Sequence, residues 1–455
     1  MDLLIKNSNL VYTSEGFKSV NIVVEDGKIR KLTAQKPNEA FDRIIDASKK
    51  IVIPGIIDLH VHFYEGRETW FSGTSAAAGG GITTVFEQPF SDPPTIYPEA
   101  LDLKIRRAKK EALIDFGLHG GATPINLEYI KQLALKGVKT FKIFLPEISP
   151  DFPGPSDDNE FLDLLHIVKK TNGLALIHAE NRTAVEVGLE KAITAKKIAP
   201  KDFPKSRPPM AEIEAVSRSI LLAALADCPI YFVHLSTGTA GQIISTIKKT
   251  QPVYAETCPQ YLIYDESVFE EKGPYARVIP PMRPKAEVAK LWDCLRLGII
   301  DTIATDHCAY PKFEKERGRY NIFLANNGIP GLETSLPLML TQVHHNRLEL
   351  EHLIKLMTEN PAKIMGLYPR KGCIQVVSDA DLTIIDFNKK SRITIDNLHT
   401  KSEFTLYEGL TVHGVPEITI SRGTVVMENG YPGEILTKNR GHGNFLNISE
   451  ILKDL

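Results

Sequence analysis

The 455-residue sequence is poor in cysteine: Cys228, Cys258, Cys294, Cys308 and Cys373 are scattered, odd in number and form no CxxC pair. That excludes a disulfide framework and points to reduced, buried thiols in a cytoplasmic protein. Long apolar runs are missing as well, none approaching the roughly 20 residues of a membrane-spanning helix. The opening Met1-Asp-Leu-Leu-Ile-Lys-Asn has no basic stretch followed by an apolar one, so no signal peptide is expected. Nor does one charge sign dominate: 54 Lys and Arg stand against 56 Asp and Glu, for a net charge of −2. A nucleic-acid or anionic-membrane surface calls for a clustered basic excess, so neither partner is expected.

What is present is the composition of a folded, loop-rich globular protein, with 43% apolar and 24% charged residues, 31 Gly and 29 Pro. The length suits about three ordinary domains, or one α/β barrel of roughly 250 residues with a smaller satellite. Residues 1–53 read as short β-like runs broken by turns, such as Leu3-Leu-Ile-Lys-Asn and Val20-Asn-Ile-Val-Val before Glu25-Asp-Gly-Lys. The same texture returns in Ala380-Asp-Leu-Thr-Ile-Ile-Asp, Ile418-Thr-Ile and Gly423-Thr-Val-Val. From 54 to 367, continuous apolar runs alternate with amphipathic helical stretches, as expected of parallel strands buried on both faces. The fold class is therefore α/β: a (β/α)8 barrel over 54–367, with a small composite β-sandwich domain formed by 1–53 and 368–455 together with a tail.

In such a barrel the reactive residues lie at the carboxyl ends of the strands. The polar residues at or near the ends of the apolar runs are His60 and His62, Lys142, His178, His234 and Asp306. His60 and His62, two apart on a strand, point to one face and can grip a divalent ion, although a His-x-His pair also arises by chance. His178 and His234 follow buried runs and read either as ligands or as hydrogen-bonded core histidines. Lys142 is either a strand-end lysine reaching water or an amine that, losing its proton in low dielectric, takes up carbon dioxide to form a bridging carbamate. Asp306 suits a metal ligand and proton acceptor, or a cap on the next turn. His307 behind it faces the other way and reads as structural.

These stretches together resemble the metal-dependent amidohydrolases, specifically the cyclic-amide group of dihydroorotases, allantoinases and hydantoinases. The resemblance rests on Pro54-Gly-Ile-Ile-Asp-Leu-His-Val-His, Phe141-Lys-Ile-Phe, Ile177-His-Ala-Glu-Asn, Val233-His-Leu-Ser-Thr, Glu256-Thr-Cys-Pro-Gln-Tyr-Leu, Ala304-Thr-Asp-His and Gly328-Ile-Pro-Gly-Leu-Glu-Thr, which occur in family order. It implies two zinc-like ions: His60, His62 and Asp306 on the first, His178 and His234 on the second, and a carboxylated Lys142 between them. It implies hydrolysis of a cyclic amide, in which hydroxide attacks the ring carbonyl, a metal polarises its oxygen and Asp306 relays the proton to the leaving nitrogen. A homodimer or homotetramer is also implied.

The substrate-reading positions depart from each branch. Where dihydroorotases carry an Arg and an Asn for the substrate carboxylate, Tyr64 and Phe90 stand here, and Tyr310 replaces a further His. A site without a cation loses charge-assisted bonds to a carboxylate, which argues against an ordinary dihydroorotase. Gln88-Pro-Phe-Ser-Asp-Pro-Pro-Thr is similar to allantoinases, whereas Gly331-Leu-Glu-Thr-Ser-Leu-Pro-Leu is closer to dihydroorotase wording, and the hydantoinase Tyr is missing near Glu147. The reading is an allantoinase-like or hydantoinase-like enzyme, with dihydroorotase as the alternative and a metal-free scaffold as a remote one. Tyr64, Phe90, Asn327 and the backbone at Ile279 are the expected substrate contacts, with Phe63 a further position to mutate and Arg67 either a polar contact or a solvated loop residue.

Overall fold

The apolar runs that end in polar residues are barrel strands in the computed structural model, which describes residues 2–448 apart from positions 9, 36, 65 and 432. Eight strands carry the barrel: β1 (Ile56–His62), β2 (Ile82–Glu87), β3 (Asp115–Leu118), β4 (Thr140–Phe144), β5 (Leu174–His178), β6 (Ile230–Phe232), β7 (Val253–Thr257) and β8 (Thr302–Ile303). β1, β2, β4 and β5 are buried at every position, which requires apolar side chains on both faces and explains why the sequence does not alternate there.

Hydrogen-bonded pairing is parallel throughout and goes round the ring. β1 pairs with β2 and β2 with β3; Gly120–Gly121, just past β3, pairs with β4; the series then runs from β4 to β8. His307–Cys308, just past β8, returns to β1 with His307 opposite Val61 and Cys308 opposite His62. The helices that follow several strands begin at side-chain caps. Thr69 caps Trp70–Gly79, Asp157 caps Asp158–Lys170, and Asn181 caps Arg182–Thr194 directly after the end of β5.

Strands from the two ends of the chain pair in one sheet. Ile51–Pro54 pairs with Leu382–Arg392 on one side and Leu10–Thr13 on the other, inside a seven-stranded sheet. A four-stranded sheet of N-terminal strands completes the domain, and Leu3, Ile5, Ile22 and Val24 meet Val52, Leu382, Ile384 and Ile420 in its core. The chain then leaves this domain: Asn444 O accepts from Phe116 N and Leu446 N donates to Phe116 O, so the tail lies along the edge of β3. Positions 449–455 of the expected tail fall outside the described residues.

Candidate metal centre

His60 and His62 end β1 with ring centres 5.2 Å apart. Their Nε2 atoms each lie 3.2 Å from Asp306 Oδ1. On the other side, His178 Nδ1 is 2.9 Å from His234 Nε2, and the His60 and His234 rings, 5.3 Å apart, join the two groups. Lys142 lies on β4, fully buried, with Nζ 4.9 Å from the centre of the Phe144 ring. All six residues line one cavity of about 370 Å³. His234 and Asp306 have φ of +40° and +51°, a conformation costly for residues other than glycine and concentrated at functional sites.

Burial is the main cause that pushes the His60 and His234 imidazoles well down and lowers His178, and repulsion from Lys142 adds to it in all three. These rings are therefore neutral, the form with a lone pair for a metal. His60 Nε2 is buried and makes no hydrogen bond. Two buried carboxylates stand behind the rings. Glu256 Oε1 is 2.7 Å from His60 Nδ1, and Glu180 Oε2 is 2.9 Å from His178 Nε2. Burial raises Glu256 to about 8, against the pull of hydrogen bonds from the His234 amide and the Tyr231 hydroxyl. His307 turns away from the cavity: its Nδ1 accepts from Gly331 N and its Nε2 lies 3.7 Å from Glu68.

Of the expected substrate contacts, Phe90, Ile279 and Asn327 line the cavity, as does Tyr310. Tyr64 is not brought there. Its φ of +62° turns the ring toward Arg107 and Glu111, whose carboxylate accepts from its hydroxyl at 3.3 Å. Phe63 is packed on Trp70 in the core, and Arg67 pairs with Glu403 at the surface. Phe144, Ile148, Arg277 and Leu324 line the cavity without having been singled out from the sequence. The backing residues Glu256 and Glu180 were not singled out from the sequence either, although Glu256 sits near the end of β7, where a strand-end reading would have found it. Lys315 has no such signal: fully buried, it donates to the carbonyls of Arg277 and Asn326 at 2.6 and 2.8 Å and fixes the loop carrying Asn327.

A model of the amidohydrolase family matches residues 51–426. The chain belongs to the amidohydrolase family. Within it, the chain is 36% identical to an L-hydantoinase of Paenarthrobacter aurescens, with 98% of each covered. It is 34% identical to an allantoinase of Rubrobacter xylanophilus over 94% of this chain and 95% of that one, and 34% identical to a dihydroorotase of Methanosarcina mazei over 98% and 97%. The solved L-hydantoinase (dihydropyrimidinase) of Arthrobacter aurescens superposes with a TM-score of 0.93 at 35% identity, covering 98% of this chain and 99% of that chain. This amidohydrolase is a cyclic amide hydrolase of the dihydroorotase, allantoinase and hydantoinase group, and its cavity holds a donor set suited to divalent metal.

Proposed function

We propose that this amidohydrolase opens an uncharged cyclic amide of the hydantoin or dihydropyrimidine type that carries an apolar substituent. The observation that carries this reading is the wall of the cavity facing the histidines. Phe90, Phe144, Ile148, Ile279, Phe323 and Leu324 line it, and Phe90, Phe144 and Phe152 pack edge to face with ring centres 5.5 to 6.1 Å apart. Among the described residues, the guanidinium lining the cavity is that of Arg277. It is engaged by the Ile322 and Ala325 carbonyls and lies over the Phe203 ring. A substrate carboxylate, or the polar ureido arm of allantoin, gains no charge-assisted bond from these apolar side chains.

The donor set fits two divalent cations, zinc by preference for neutral imidazole and carboxylate. His60, His62 and Asp306 would hold one and His178 and His234 the other, with Lys142, carboxylated on Nζ, shared between them. When bound, the ions supply Lewis acidity toward the ring carbonyl and toward water. The remaining work falls to the chain. Asp306 accepts the proton of the attacking water and passes it to the ring nitrogen as the C–N bond breaks. Asn327 Oδ1, buried without a hydrogen-bond partner, accepts a ring N–H, and the carbonyl of Ile279, which also lines the cavity, accepts a second. The apolar wall excludes bulk water from the reacting face.

Five buried cysteines that form no disulfide support a reducing compartment, the cytoplasm. No helix among the described residues is long and apolar enough to cross a membrane. A homodimer or homotetramer is part of the same proposal, and light scattering of the eluted protein measures it. The deciding experiment compares kcat/KM for a 5-benzyl hydantoin, dihydrouracil, allantoin and dihydroorotate on zinc-loaded protein. The benzyl hydantoin is expected to lead; a dominant rate on dihydroorotate or allantoin rejects the reading.

A further inference from the structure

His60 and His178 each turn one ring nitrogen into the cavity and the other onto a buried carboxylate, but the two carboxylates are held differently. Glu256 accepts from three uncharged donors: the His60 ring at 2.7 Å, the His234 amide at 2.9 Å and the Tyr231 hydroxyl at 2.8 Å. Tyr231 in turn lies 2.6 Å from Thr302 Oγ1, which completes a chain running from β8 to β1. Since the Tyr231 proton goes to Glu256, Thr302 donates to Tyr231. Glu180, by contrast, is gripped by a guanidinium: Arg207 Nη2 lies 2.6 Å from Oε2, and Nε lies 3.1 and 3.2 Å from the two oxygens. Arg283 Nη2 stands a further 3.9 Å away.

A ligand imidazole that donates its second N–H to a carboxylate is fixed in ring orientation and becomes a stronger donor to the metal. The gain depends on how much negative charge that carboxylate has to spare. A bidentate guanidinium draws the charge of Glu180 toward itself. Burial by itself favours the protonated form of Glu256, but a dication on His60 favours its anion, and the uncharged donors around Glu256 leave that charge directed at His60. We propose that Glu256 is a positioning residue that makes the two halves of the centre unequal. It tightens the hold of His60, His62 and Asp306 on their cation, while the Arg207 clamp on Glu180 leaves His178 and His234 the weaker pair.

This inference rests on the two-metal reading of the site, and the test separates the two. Zinc-loaded full-length protein is mixed with excess chelator and the release of each zinc equivalent is followed by colour. The wild-type chain is expected to release one zinc quickly and one slowly. Glu256→Gln keeps an oxygen for the His234 amide but removes the charge, and it is expected to speed the slow release by about 10 to 100-fold, the range for groups behind metal ligands, with the fast release unchanged. Tyr231→Phe, a milder change, is expected to speed the same slow step by a smaller factor, and it carries the test if Glu256→Gln does not fold. Arg207→Met frees the charge of Glu180 and is expected to slow the fast release. Unaltered release in both Glu256→Gln and Tyr231→Phe overturns the assignment of Glu256 alone, as does equal acceleration of both ions, which signals general loosening. A wild-type chain that takes up no second zinc overturns the two-metal reading together with the inference.

Discussion

Lys142 sits inside the barrel among three histidine rings whose imidazoles it helps to keep deprotonated. As an ammonium it would repel the cations those rings are arranged to hold; as a carbamate it would attract them, which is the physical case for carboxylation. Lys142→Met protein is expected to retain at most one equivalent of zinc in elemental analysis. Its kcat/KM is expected to fall at least about a hundredfold, since Lewis-acid stabilisation amounts to several kcal/mol. Retention of two equivalents rejects the bridging role. The apolar wall is tested at Phe90. Phe90→Ala is expected to raise KM for a 5-benzyl hydantoin by about 10-fold, the scale of one lost apolar contact, and to leave unsubstituted hydantoin within about twofold. Equal losses on both substrates show instead that the site itself is distorted.

Between elements, the barrel and the sheet domain are locked by a buried charge cluster at the start of β3. Lys371 Nζ reaches Asp115 at 2.7 Å and also pairs with Asp379 and Asp381, while Arg422 binds Asp115 from the sheet domain at 3.0 Å. These three carboxylates can be mistaken for a second metal site, but the Lys371 ammonium already occupies the space between them. Removing one partner of a buried pair leaves a charge without compensation, so Lys371→Met is expected to cost about 3 to 5 kcal/mol in denaturant unfolding. A loss below about 1 kcal/mol rejects the lock. Burial alone would raise Asp115, yet the charges of Lys371 and Arg422 outweigh it and hold its pKa down. The sign follows from linkage. This contribution is complete above the unfolded value of about 3.9 and disappears as the pH falls through the lower folded value. Urea midpoints of the wild-type chain are therefore expected to fall between about pH 4 and pH 2 more steeply than those of Lys371→Met.

At the scale of the whole molecule, the proposed metal ligands lie on β1, β4 and β5, just past β6 and in the turn after β8, and only the folded barrel brings them together. The unfolded chain has no such site, so bound cations stabilise the native state by mass action, about 2.7 kcal/mol for one ion at a free concentration 100 times its Kd. Chelation is expected to lower Tm and added zinc to restore it; a Tm indifferent to both rejects a structural contribution of the centre. The sequence by itself determined the barrel and singled out the six residues that meet in its cavity, because buried parallel strands leave continuous apolar runs and a polar residue near the end of one stands out locally. The direction of Tyr64, the backing of His60 by Glu256 and of His178 by Glu180, and the apolar wall built around Phe90 and Phe144 were decided only by the tertiary structure. Each depends on side chains from different strands and loops meeting in space, or on a single backbone angle such as the positive φ at Tyr64, and neither leaves a periodic trace along the chain.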